Sequence, residues 1–124
     1  MILLDTNVLL WLFMGNEKLS PNIQHRIEED PANYFVSIVS LWEIATKRVI
    51  GKLELRMDMP KAVYDAGFSK LSLEYAHIYQ YEQLPLIHRD PFDRMLIAQA
   101  LSENISMISG DEFLGDYGAK IIAS

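Results

Sequence analysis

An α/β fold, with three α/β/α layers around a central parallel sheet, is the class this sequence predicts. Short apolar runs without polar alternation, such as Ile2–Leu4 and Ile105–Ile108, have the pattern of strands buried on both faces. Between such runs stand segments with apolar stripes at helical spacing, bounded by helix-start and helix-stop residues. Strands thus alternate with helices along the whole chain, which implies parallel pairing through helical crossovers. At 124 residues the chain has the size of one domain, 1–124, long enough for a sizeable core. It carries no internal repeat, low-complexity tract or linker.

The first strand, Ile2–Leu4, runs into Asp5, Thr6 and Asn7, and Val8–Phe13 then reads as a short buried helix ended by Gly15 and Asn16. Ser20-Pro21 supplies an N-cap and a first-turn proline for a helix reaching to Pro31, with Ile23 and Ile27 spaced by four. Tyr34–Ser37 is aromatic and β-branched, a second strand. Ile38–Ile50 follows as a helix striped by Leu41, Ala45 and Val49 and stopped by Gly51. A loop with Lys52, Glu54 and Arg56 leads to a helix over Ala62–Phe68, a short strand at Leu71–Leu73 and a helix over Tyr75–Gln83. Asp90-Pro91 opens the clearest helix, to about Glu103. After the Ile105–Ile108 strand, Gly110–Gly118 is a polar loop or short turn, and Lys120–Ile122 a last strand.

Composition excludes several chemistries. There is no cysteine, so disulfide frameworks, thiolate metal sites and a cysteine nucleophile are out, and three histidines in separate segments do not make a histidine-rich metal site. No apolar run approaches the ~20 residues of a membrane span, and the N-terminus lacks the features of a signal peptide. The expectation is a cytoplasmic protein without a membrane partner. The net charge of −6 argues against a broad basic face for nucleic acid. Carboxylates gathered to hold divalent cations would produce the same sign.

Four carboxylates occupy comparable places. Asp5 follows the first strand, Glu43 lies one turn into the helix after the second, Asp93 is in the first turn of the Pro91 helix, and Asp111 follows the Ile105–Ile108 strand. Parallel strands followed by helices open on one edge of the sheet, where such folds bind ligands. Each acid also has an ordinary structural explanation. Asp5 or Thr6 caps a helix; Ser40-Leu41-Trp42-Glu43 fits a capping box; Asp90 caps and Asp93 complements the next helix dipole; Asp111 suits a turn. Jointly they suit a hard divalent cation, Mg²⁺ or Mn²⁺, which favours oxygen ligands and keeps waters. Lys47, one turn after Glu43, pairs with it or reaches a phosphate. Arg89 and Arg94 flank the Asp90–Asp93 segment as candidate phosphate contacts.

The order of motifs resembles the PIN-domain family, and more narrowly the VapC-like toxins of type II toxin–antitoxin systems. Leu4-Asp5-Thr6-Asn7, Ser37–Ile44, His88–Ala98 and Ser109–Phe113 carry the resemblance over nearly the whole chain. It implies a PIN-like domain whose metal-binding, catalytic acids are Asp5, Glu43, Asp93 and Asp111. Asp93 rather than Asp90 matches, standing five residues before Ala98. Thr6 and Asn7 match the supporting polar pair, and Ser109 keeps the hydroxyl where the family often has threonine. Whether Asp90 or Asp116 assists stays open. The implied activity is Mg²⁺- or Mn²⁺-dependent endoribonuclease cleavage leaving 5′-phosphate and 3′-hydroxyl ends. Implied partners are RNA, a VapB-like antitoxin and a second copy of the chain. A non-catalytic PIN-like domain that binds RNA or protein is the alternative. A receiver domain would need paired acids where Asp5 stands alone, and a haloacid-dehalogenase-type phosphatase an aspartate where Asn7 stands.

Overall fold

A computed structural model describes the backbone of residues 1–124 and every side chain except that of Glu112. Five strands, β1 (Ile2–Leu4), β2 (Tyr34–Ser37), β3 (Ser69–Leu71), β4 (Ser106–Ser109) and β5 (Ile121–Ala123), form one sheet in the order β3-β2-β1-β4-β5. Every pairing is parallel. Six α-helices connect them: α1 (Thr6–Met14), α2 (Pro21–Glu29), α3 (Ile38–Val49), α4 (Met59–Asp65), α5 (Tyr75–Gln83) and α6 (Pro91–Glu103). Short 3-10 segments stand at Pro31–Asn33 and Glu112–Tyr117. Among the described residues, no helix is long and apolar enough to cross a membrane.

The centre of the sheet is dry on both sides. In β1, Leu3 is 0% exposed and packs with Leu96, Ile97, Ala98 and Met107, whereas Leu4, at 1%, packs with Val8, Leu9, Val36 and Ile44. Successive side chains of a strand point to opposite faces, so each leucine closes a different layer. Helices α5 and α6 cover the first face; α1, α2 and α4 cover the second.

Caps explain where the helices begin. Ser20 accepts from Ile23 N, Asp58 from Lys61 N, and Asp90 from both Phe92 N and Asp93 N. Such caps satisfy helix-start N–H groups that have no partner within the helix. The Asp58 cap, with Pro60 in the first turn, starts α4 at Met59, three residues before the Ala62 expected from the sequence. Strand β3 begins at Ser69, two residues earlier than expected, because its register is set by β2, with Phe35 opposite Ser69 and Ser37 opposite Leu71.

Candidate functional site

The strand order reverses direction between β1 and β4, so the carboxyl ends of these neighbours flank the crevice where open α/β sheets place ligands. Asp5 leaves β1 at that point and is 4% exposed. It caps α1 itself: Oδ1 accepts from Thr6 N at 2.8 Å, so Thr6 is the first helical residue and not the cap. Oδ2 accepts from the Ser109 hydroxyl at 2.7 Å, across from the end of β4. The same Ser109 oxygen accepts from Asp111 N at 3.0 Å. One hydroxyl thus ties the first predicted acid to the backbone of the last. Asp111 then accepts from Phe113 N at 3.0 Å and opens the 3-10 segment.

Glu43 arrives from β2 through α3. The cap of this helix is Ser37, whose hydroxyl accepts from Val39 N, and not Ser40 of the expected capping box. Ser40 lies inside the helix one turn before Glu43, and its Oγ accepts from the Thr6 hydroxyl at 2.9 Å. This serine is a supporting residue that sequence reasoning missed; its spacing of three from Glu43, on one helix face, was the available signal. Glu43 is 4% exposed. Its Oε2 meets Lys47 Nζ at 2.8 Å, and its buried Oε1 has no hydrogen-bond partner. Asp93 sits at the third position of α6 and is half-buried.

The electrostatics bring these groups together. Burial pushes the Asp5 carboxyl above its ordinary range; bonds from Ser109 and Thr6 oppose the rise, and the charges of Glu43 and Asp111 add to it. Asp93 is pushed up to about 7 by burial first, then by the charges of Asp5, Asp90, Glu43 and Asp111. Burial alone would lower the Lys47 ammonium's pKa. The bond to Glu43 and the charges of Glu43, Asp90 and Asp93 outweigh it, and the net direction is upward.

A divalent cation fits this donor set. The candidate ligands are hard oxygens, one of them buried without a partner, and two of the carboxylates are held in a state that positive charge would relieve. Among the described residues, no three acidic or histidine side chains converge on one point at coordination distance. Asp5 and Glu43 have oxygens engaged with Thr6, Ser109 and Lys47. Mg²⁺ suits such an open site, because it keeps several waters and needs only one or two direct carboxylates. Asp90 acts on Asp93 by charge while its side chain caps α6; Asp116 is exposed.

The flanking cations divide. Arg89 is exposed. Arg94, expected as a substrate contact, is 7% exposed and turned inward. Its guanidinium donates to the carbonyls of Pro85 (2.9 Å), Tyr81 (3.4 Å) and Leu84 (3.5 Å) at the end of α5, and lies 4.8 Å from the Tyr81 ring centroid. It joins α6 to α5. The sequence neighbourhood suggested otherwise because packing between these helices is not visible in it. Asn7 is exposed in the first turn of α1. An apolar hollow of about 310 Å³ between Leu12, Phe13, Ile27 and Phe68 includes none of the four acids in its lining.

The family model for the PIN domain matches residues 2–120. No curated protein matches the sequence. The fold is similar to a chain of DNA-bound VapBC from Salmonella typhimurium, with a TM-score of 0.74 and 16% identity, covering 98% of this chain and 96% of that one. It is also similar to a chain of VapBC2 from Rickettsia felis bound to a promoter DNA fragment, with a TM-score of 0.73 and 13% identity over 99% of this chain and 98% of that one. A third similar chain, from FitAcB of Neisseria gonorrhoeae, has a TM-score of 0.66 and 20% identity over 98% and 96%.

Proposed function

Because this chain belongs to the PIN-domain family, we propose that it is a divalent-metal-dependent endoribonuclease, the toxin of a VapBC-like toxin–antitoxin pair. The observation that carries this reading is the gathering of carboxylates at the β1/β4 crevice, where burial first and then the charges of four neighbouring acids raise Asp93 to about 7, and where the buried Oε1 of Glu43 has no hydrogen-bond partner. Carboxylates crowded in this way repel one another, and a bound cation relieves that repulsion.

Asp5 and Asp93 would hold the ion, with Glu43 and Asp111 supporting it. When bound, Mg²⁺ or Mn²⁺ neutralises charge on the scissile phosphate and lowers the pKa of a coordinated water. Thr6 N–H and the Ser109 hydroxyl each bond one Asp5 oxygen and fix its orientation, leaving lone pairs on both for a further partner. Ser40 anchors Thr6 in turn. Arg89, exposed beside the start of α6, takes a neighbouring backbone phosphate. Attack of water on phosphorus expels the 3′-oxygen and leaves a 5′-phosphate and a 3′-hydroxyl. Local cations and the metal meet the substrate, so the net charge of −6 is no obstacle.

An antitoxin and a homodimer belong to the same proposal. The similar folds are chains of VapBC and FitAcB assemblies. In this chain α3 and its end expose Trp42, Val49 (86%) and Ile50 (58%), an apolar surface of the kind that marks interfaces. Incubation with RNA, with and without Mg²⁺ or Mn²⁺, tests the activity. The expected products carry 5′-phosphates and appear only with metal. RNA bound but uncut at every metal concentration would establish the non-catalytic PIN-like alternative instead.

A further inference from the structure

We propose that Lys47 is a resident counter-ion of the carboxylate site, whose ammonium a divalent cation must displace from Glu43 before the site is loaded. The inference rests on the metal-site reading above and deepens it. Residues four apart on a helix are neighbours, so α3 presents Glu43 and Lys47 on one face. The contact is 2.8 Å, between Nζ and Oε2. Its two ends differ sharply: the Glu43 side chain is 5% exposed and the Lys47 side chain 35%. The anion is fixed in the interior, and the cation reaches it from the rim on a flexible stem with room to leave.

The other carboxylate oxygen is the second observation. Oε1 of Glu43 is buried and has no partner, so the ammonium satisfies only half of the carboxylate. An ordinary structural ion pair in a buried position satisfies both oxygens, because an unpaired buried acceptor is costly. Here one oxygen is left without a partner beside one held by the ammonium. Two cations on one carboxylate repel each other strongly in a partly dry site. Metal and ammonium therefore compete, and Lys47 sets how much free metal is needed to load the site.

Titration calorimetry with Mn²⁺ on the wild type, Lys47→Met, Lys47→Gln and Lys47→Arg tests this, with Asp5→Asn as the reference for lost binding. Melting curves in EDTA accompany it. Removal of the charge is expected to tighten Mn²⁺ binding by about tenfold or more, to lower the metal-free melting temperature and to widen its rise on adding Mn²⁺. Lys47→Arg is expected to stay near the wild type. Lys47→Gln, which keeps a polar side chain, provides the same comparison if the methionine variant folds poorly. Mn²⁺ affinity equal to or weaker than that of the wild type in both neutral variants overturns the role of Lys47 and leaves the metal site standing. No Mn²⁺ binding by any of the proteins overturns both.

Discussion

Replacing Asp93 by asparagine removes a carboxylate that the metal-free fold accommodates badly. Its carboxyl rises from 3.8 in the unfolded reference to about 7 in the fold, through burial and four neighbouring acids. A folded-state value above the unfolded one means that the unfolded chain releases the proton first. Stability then falls as pH rises between about 4 and 7 and levels off above that window. Taken whole, the shift corresponds to ~4 kcal/mol, but Asp93 is partly exposed, and solvent screening reduces this to about 1–2 kcal/mol. Asparagine also gives up the favourable interaction of a carboxylate with the start of α6, worth ~0.3–1 kcal/mol. The expected net effect in EDTA at pH 8 is a gain of about 1 kcal/mol, or roughly 3–5 °C in melting temperature. At pH 4 the gain vanishes. Calorimetric melts in EDTA across this range measure both. An Asp93→Asn protein that melts at or below the wild type at pH 8, or whose advantage does not grow with pH, refutes the crowded-carboxylate account.

Three further outcomes follow from particular contacts. Ser109→Ala removes the hydroxyl that holds Asp5 Oδ2 and is expected to lower RNA cleavage by about 10- to 100-fold, with little change in circular dichroism. Arg94→Met removes the buried guanidinium that bonds the carbonyls at the end of α5 and is expected to cost about 2–4 kcal/mol in urea unfolding; an unchanged unfolding midpoint would contradict its structural role. Arg89→Ala is expected to weaken RNA binding without loss of stability and to reduce the salt dependence by about one phosphate contact, as binding isotherms at several salt concentrations will show.

Much of the scaffold is legible in the sequence because its punctuation is chemical. Asp90-Pro91 announces α6, the alternation of apolar runs and stripes announces a parallel sheet, and Tyr34–Ser37 reads as a strand from its residue types alone. Helix α4 begins earlier than its apolar stripe suggests, because its cap, Asp58, stands in a stretch that reads as loop. The strand order is a matter of tertiary pairing and leaves no mark in the sequence, yet it decides that Asp5 and Ser109 meet. The inward turn of Arg94 is hidden for the same reason: its partners are carbonyls of a helix that precedes it in the chain. Ser40 fits a local capping pattern, which the actual cap at Ser37 displaces. Local chemistry can be read residue by residue, and long-range pairings cannot.

On the proposed reading, the carboxylates at the β1/β4 crevice hold a metal for RNA cleavage. The most direct test compares RNA cleavage by the wild type and Asp5→Asn, matched in circular dichroism, at several Mg²⁺ and Mn²⁺ concentrations after EDTA treatment. The expected result is metal-restored cleavage by the wild type and loss of it in Asp5→Asn at every concentration. Equal cleavage by the two proteins, or wild-type cleavage that persists in EDTA, contradicts it.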